Sequence, residues 1–246
     1  MIKNEKIKID DVSVVILAGG LGKRIRHLYP DKPKSLIKFK NQPFLYWIVK
    51  EINKLHLRSI IYATGYKSNQ IECWVNNNEF KNLDQKIIQE EKKMGTAGSI
   101  FNVINFCKNY FIVLNSDTFL EDGLEKLILS IDKKISGALV CHYTQDMSRF
   151  GSIKFDKNNN LTNFHEKKKD GSGYINSGIY FFNKKKVTKY KINEFMSLEY
   201  ELFPNMIKNN EKIKVIKINK PKFIDIGTEE SIRQSRQFVQ EVFGNR

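Results

Sequence analysis

The sequence predicts an open α/β fold: a mixed, mainly parallel sheet flanked by helices, with an antiparallel extension in its second half. Three observations predict it. The run Val12-Ser13-Val14-Val15-Ile16-Leu17-Ala18 is apolar without alternation, as a strand covered by helices on both faces must be. Apolar strands then alternate with helical periods as far as about residue 135, the rhythm of right-handed βαβ units. Beyond Ser136 that rhythm gives way to strands joined by short polar turns.

Taken in order, residues 44–55 carry Phe44, Leu45, Ile48, Val49, Ile52 and Leu55 at helical spacing. A strand over 59–63, a short helix over 71–75 and a short strand at Ile87-Ile88 follow. A helix over 96–105, an apolar strand over 110–114 and a helix over 122–131 complete the alternating part. The second part reads as strands over 137–143, 151–155, 161–166 and 174–182, the second and third joined by the turn Asp156-Lys157-Asn158-Asn159-Asn160. A helix near 199–208, a strand over 214–218 and an amphipathic helix over 229–243 end the chain. No Pro/Gly-rich linker divides it, so residues 1–246 are expected to form one domain with lobes at 1–135 and 136–246.

A length of 246 residues with 41% hydrophobic and 28% charged side chains excludes a disordered chain. No apolar run approaches the ~18 residues of a membrane span. Residues 1–11 are charged and lack the apolar core of a secretion signal, so a soluble cytoplasmic protein is expected. Lys and Arg outnumber Asp and Glu by 42 to 27, a net charge of +15, which points toward polyanionic partners. These could be nucleic acid, an anionic membrane or a phosphorylated small molecule. The runs Lys167-Lys168-Lys169 and Lys184-Lys185-Lys186 are short, and Phe39, Phe44, Tyr46 and Trp47 fall in an apparent helix core, not on a basic face. Neither nucleic acid nor membrane is therefore expected as a partner, and a homo-oligomer stays open. Cys73, Cys107 and Cys141 have unlike flanks and are expected to be reduced and mostly packed. His27, His56, His142 and His165 form no metal-ligand pattern.

The chemistry concentrates after the first strand, in Leu17-Ala18-Gly19-Gly20-Leu21-Gly22-Lys23-Arg24. Glycines let a backbone approach an anion, and free N–H groups ahead of a helix favour phosphate. A tight turn is the bland alternative, and the cations Lys23 and Arg24 tilt the reading to polyphosphate. It is neither a Walker loop, since Arg24 stands where Ser or Thr is required, nor a dinucleotide fingerprint. In Lys32-Pro33-Lys34-Ser35 the proline fixes the backbone that presents Lys34. Asp117 directly follows an apolar strand and Asp225 ends a short apolar segment. Taken singly, either aspartate could be a turn or cap residue.

Residues 17–36 resemble the N-terminal signature of the sugar-1-phosphate nucleotidyltransferases, with Lys23 in place of the usual Thr and Ser35 in place of Pro or Ala. The resemblance continues in the family's order to about residue 235. It runs through Met94-Gly95-Thr96-Ala97-Gly98, Asn115-Ser116-Asp117, Phe150-Gly151, Glu166-Lys167, Asn176-Ser177-Gly178, Ser197-Leu198-Glu199 and Phe223-Ile224-Asp225-Ile226-Gly227-Thr228. It implies a Rossmann-like, GT-A-like architecture and transfer of a nucleotidyl group from an NTP to a sugar 1-phosphate.

On that resemblance Arg24 and Lys34 are catalytic, and Leu17, Gly19, Gly20, Gly22, Lys23, Glu90, Gly95 and Thr96 bind the nucleotide. Asn115, Gly151, Glu166, Lys167, Asn176 and Glu199 bind the sugar phosphate, and Asp117 and Asp225 hold Mg²⁺. Glu90 only accepts hydrogen bonds and so suits the two adjacent donors of guanine, which favours GTP; neighbouring Glu91 leaves the register open by one residue. Among short members the chain most resembles the D-glycero-α-D-manno-heptose 1-phosphate guanylyltransferases. Mannose-1-phosphate guanylyltransferases and UTP-dependent enzymes are the near alternatives. A silent regulatory paralogue and a basic nucleic-acid-binding protein are the alternatives of a different class.

Overall fold

The computed structural model describes residues 6–165, 171–192 and 194–244. After β1 (Val12–Ala18) and a long loop comes a minimal hairpin, β2 (Lys38–Phe39) with β3 (Gln42–Pro43), then α1 (Phe44–Lys54). The alternating half continues with β4 (Ser59–Thr64), α2 (Ser68–Asn77), β5 (Asp84–Gln89), α3 (Gly95–Val103) and β6 (Tyr110–Asn115). Next come β7 (Thr118–Leu120), α4 (Gly123–Ser130), β8 (Gly137–Thr144), β9 (Ser152–Phe155), β10 (Leu161–His165) and β11 (Gly173–Asn183). A single turn α5 (Lys184–Val187), a π-helical turn at Leu198–Leu202, α6 (Phe203–Lys208), β12 (Ile213–Ile218), β13 (Phe223–Asp225) and α7 (Glu229–Phe243) follow.

Nine strands form one sheet in the order β10-β9-β11-β6-β1-β4-β5, with β8 attached to β11 and β12 to β8. The four strands β6, β1, β4 and β5 are parallel. β11 runs antiparallel to β6 at one end and to β8 and β9 at the other, which carries the sheet unbroken into the antiparallel extension. The lack of alternation in β1 has its reason here. Val12, Val14, Ile16 and Ala18 pack into the layer of α1, α4 and α7, while Val15 joins the opposite layer with α3 and α6. Among the described residues no helix is long and apolar enough to cross a membrane.

Several expectations need adjustment. β5 spans Asp84–Gln89, longer than Ile87-Ile88, because polar alternation on an exposed strand disguised its ends. The helix placed at 199–208 starts as the π-helical turn and becomes α-helical only at Phe203. Phe39 belongs to β2, not to a helix core, although it is buried at 2% exposure. Residues 23–28 form turns after β1, not the helix the phosphate argument invoked. The small antiparallel pair β7–β13, which sets Asp225 opposite Thr118, was not anticipated at all.

Candidate active site

The register aligns Ala18, Thr64 and Gln89 at one edge of the sheet, with Asn115 opposite Leu17. Ligands of open α/β sheets collect at such carboxyl ends. A cavity of about 400 Å³ opens there. From the β1 loop it is lined by Leu17, Gly19, Gly20, Gly22, Lys23 and Arg24, and from the turn Lys34–Leu36 by Lys34. Glu90 follows β5, Gly95 and Thr96 open α3, and Asn115 and Asp117 follow β6. Glu90, and not Glu91, lines the cavity.

The Glu90 carboxylate is fixed from two directions. Ser99 Oγ donates to its Oε2 at 2.8 Å. Its Oε1 would lie 2.9 Å from a Cβ at Gly19 and 2.8 Å from one at Gly65, so the carboxylate rests on two glycines that leave it room. Gly95 is a different case. With φ at +75° and Met196 O only 2.5 Å from where a Cβ would stand, no other residue fits without strain. This close approach seats α3 on the segment before the π-helical turn, where Met196 O accepts from Ala97 N at 2.9 Å and Gly98 N at 3.1 Å.

The charged centre lies beside this. Lys34 Nζ donates to Asp117 Oδ2 at 2.6 Å and to Asp225 Oδ1 at 3.3 Å. The cation that must separate two converging carboxylates is here a lysine. Gly227 is the floor of the cluster. A Cβ on it would stand 2.7 Å from Asp225 Oδ1, 2.8 Å from Arg24 Nη2 and 3.0 Å from Lys34 Nζ. Arg24 and Lys34, both from the loop after β1, Asp117 and Asp225 thus come from three distant segments to one point, which the β7–β13 pair and the bond from Ile226 N to Asp117 O at 2.9 Å hold in place.

On the other side of Asn115, Asn176 N donates to Gly151 O at 3.0 Å and Asn176 Nδ2 to Tyr180 Oη at 2.6 Å. Glu199 accepts from Ser197 Oγ at 2.9 Å and Thr96 Oγ1 at 3.2 Å, which ties the extension to the start of α3. Burial, reinforced by the charge of Glu199, raises the pKa of Tyr180 well above its usual range, so it stays a neutral hydrogen-bonding phenol. Glu166 and Lys167 lie outside the described residues.

Sequence reasoning missed Ser99, Lys93 and Arg149, and held Gly227 only as part of the segment 223–228 with no role of its own. Ser99 sits one helical turn beyond Thr96, a spacing that could have flagged it. Arg149 donates from Nη2 to Thr228 Oγ1 at 3.1 Å, and its buried Nε has no partner among the described residues. Its place directly before Phe150-Gly151 was the available signal. Cys107 and Cys141 are free and buried, which pushes each thiol up to about 12, and Cys73 is free but exposed.

Cations and paired acids around a cavity at strand ends are equipment for moving phosphates, not acyl groups or hydride. The fold and the site define a nucleotide-dependent transferase. The chain belongs to the nucleotidyl transferase family, whose sequence profile matches residues 13–242. It is 32% identical to a D-glycero-α-D-manno-heptose 1-phosphate guanylyltransferase of Campylobacter jejuni, over 89% of this chain and 96% of that one. An enzyme of the same description from Aneurinibacillus thermoaerophilus is 27% identical, over 93% and 99%. The crystal structure of HddC from Yersinia pseudotuberculosis complexed with GMP-PN superposes with a TM-score of 0.80 at 31% identity, covering 92% of this chain and 98% of HddC. Members of the family generally use a divalent metal.

Proposed function

We propose that the protein transfers a guanylyl group from GTP to D-glycero-α-D-manno-heptose 1-phosphate, giving the GDP-sugar and pyrophosphate, with the whole chain acting as a single two-lobed domain. The observation that carries this reading is the convergence of Arg24, Lys34, Asp117 and Asp225 over Gly227, at a cavity that Glu90 also lines. The heptose enzymes described above, similar along nearly their full length, support the choice of both substrates.

The substrates supply their own nucleophile. A phosphomonoester has a second pKa of about 6, so the sugar phosphate is largely a dianion at neutral pH and no general base is required. In keeping with this, no histidine lines the cavity among the described residues. What the residues contribute is alignment and charge: Arg24 and Lys34 neutralise the triphosphate as pyrophosphate leaves the α-phosphorus. Glu90 accepts from guanine N1–H and N2–H₂, and Asn115, Asn176 and Glu199 bind the sugar.

The acids fit a magnesium ion. They are hard oxygen donors already converging on one cation, the Lys34 ammonium. Asp117 and Asp225 would be its protein ligands, and the ion would supply charge neutralisation on the phosphates.

A matrix of four NTPs against heptose, mannose, glucose and N-acetylmuramic acid 1-phosphates, with Mg²⁺ and pyrophosphate as readout, tests this. GTP with the heptose phosphate should dominate. Turnover with UTP but none with GTP overturns the role of Glu90, and mannose phosphate preferred over heptose phosphate overturns the sugar. Pyrophosphate from no pair defeats the enzyme reading altogether.

A further inference from the structure

Guanine is distinguished from the other bases by an acceptor, O6 with N7 beside it, next to the two donors that Glu90 answers. A carboxylate cannot serve that acceptor. Three residues past Glu90, Lys93 lines the same cavity. Its Nζ lies 5.5 Å from the ring centroid of Phe195, and that ring is itself 3.1 Å from where a Cβ on Gly95 would stand. Lys93 is exposed and has no carboxylate partner among the described residues. The aromatic face of Phe195 therefore holds an uncommitted ammonium in the cavity that Glu90 and Gly95 also line.

We propose that Lys93 is a base-specificity residue, donating to guanine O6 and N7 while Glu90 accepts from N1–H and N2–H₂. The proposal rests on the guanine reading above and completes it. Lysine is a common partner of O6 and N7 because those two acceptors lie side by side. The acceptor–donor pair also rejects adenine twice. Its 6-amino group would meet the ammonium, and its bare N1 would meet the carboxylate. Uracil offers O4 to Lys93 but only one donor to Glu90, so it loses a bond on one side alone.

The test exchanges oxygen for sulfur. In 6-thio-GTP the N1–H and 2-amino donors remain, while O6 becomes a weak sulfur acceptor. GTP and 6-thio-GTP are titrated into the full-length protein without sugar phosphate, for the wild type, Lys93→Met and Lys93→Arg. The wild type should bind GTP about 10-fold more tightly than 6-thio-GTP. Lys93→Met should lose the N7 bond with both nucleotides but the O6 bond with GTP alone, so GTP loses about that factor more than 6-thio-GTP and the gap closes, and Lys93→Arg should restore it. Equal binding of the two nucleotides by the wild type, or a gap that survives in Lys93→Met, overturns the assignment alone. A wild type that binds UTP as tightly as GTP defeats the guanine reading and this assignment with it.

Discussion

The two sides of the cavity are assembled differently. On the nucleotide side each group sits within a few residues of the strand or helix end that places it: the glycine loop after β1, Glu90 after β5, Gly95 and Thr96 at the start of α3. On the acidic side each acid also sits at a strand end, but their meeting is not local. Asp117 and Asp225 meet only because β7 pairs with β13 across more than a hundred residues of sequence, and Lys34 reaches them from a third segment. A βα turn sets its own geometry, whereas the acidic centre exists only once the second half has folded back onto the first. On the roles proposed above, binding and chemistry should therefore be separable.

The strongest test of that separation is Asp117→Asn and Asp225→Asn. Each substitution keeps the shape and removes a charge ligand, so turnover with Mg²⁺ should fall on the order of 10³-fold. GTP affinity measured without metal should change little, and the thermal midpoint should stay within a few degrees. Retained turnover in either variant would show that the acids serve Lys34 alone. Collapse of metal-free GTP binding would show that the two sides are one unit.

The same contrast explains what was legible in the sequence. The fold class followed from β1, β4 and β6, whose apolar runs report burial on two faces. α7 was readable to the residue because an amphipathic period follows a capping threonine, Thr228. The nucleotide-side residues were readable for the same reason that they are local. β7 and β13, three residues each, carry too little periodicity to declare themselves, and their pairing is a tertiary event. Family resemblance, not spacing, brought Asp117 and Asp225 together on paper. Ser99, Lys93 and Arg149 escaped because their significance is what they touch, not what precedes them.

A pH titration sharpens the comparison from the acidic side. His142, on β8, is buried against Phe223 of β13 with ring centroids 4.4 Å apart, and shares a 2.9 Å hydrogen bond with Ser177 Oγ. Burial lowers its pKa from 6.5 to about 4. The unfolded chain therefore binds the proton first, so the contribution to stability is complete above pH 6.5. It is lost as pH falls from 6.5 toward 4, by up to about 3 kcal/mol. Unfolding by denaturant across that range should show the loss, and His142→Gln should flatten it. An unchanged slope in the variant would assign the acid sensitivity elsewhere.

The smallest effect expected is at Thr228, where the two kinds of construction meet. Its hydroxyl accepts from Ser231 N at 3.3 Å as the cap of α7, a purely local bond, and also from Arg149 Nη2 at 3.1 Å, a distant one. It directly follows Gly227, the floor of the charged cluster. Thr228→Ala should cost about 1 kcal/mol of stability, the usual value of a lost cap. Because the turn from Asp225 to Thr228 loses an anchor, turnover should drop several-fold while GTP affinity stays unchanged, and Thr228→Ser should recover both stability and rate. A stability loss with no change in rate would confine Thr228 to the helix. Loss of GTP affinity in proportion to rate would mean that the charged floor and the nucleotide wall move together, and the separation argued from β7 and β13 would not hold.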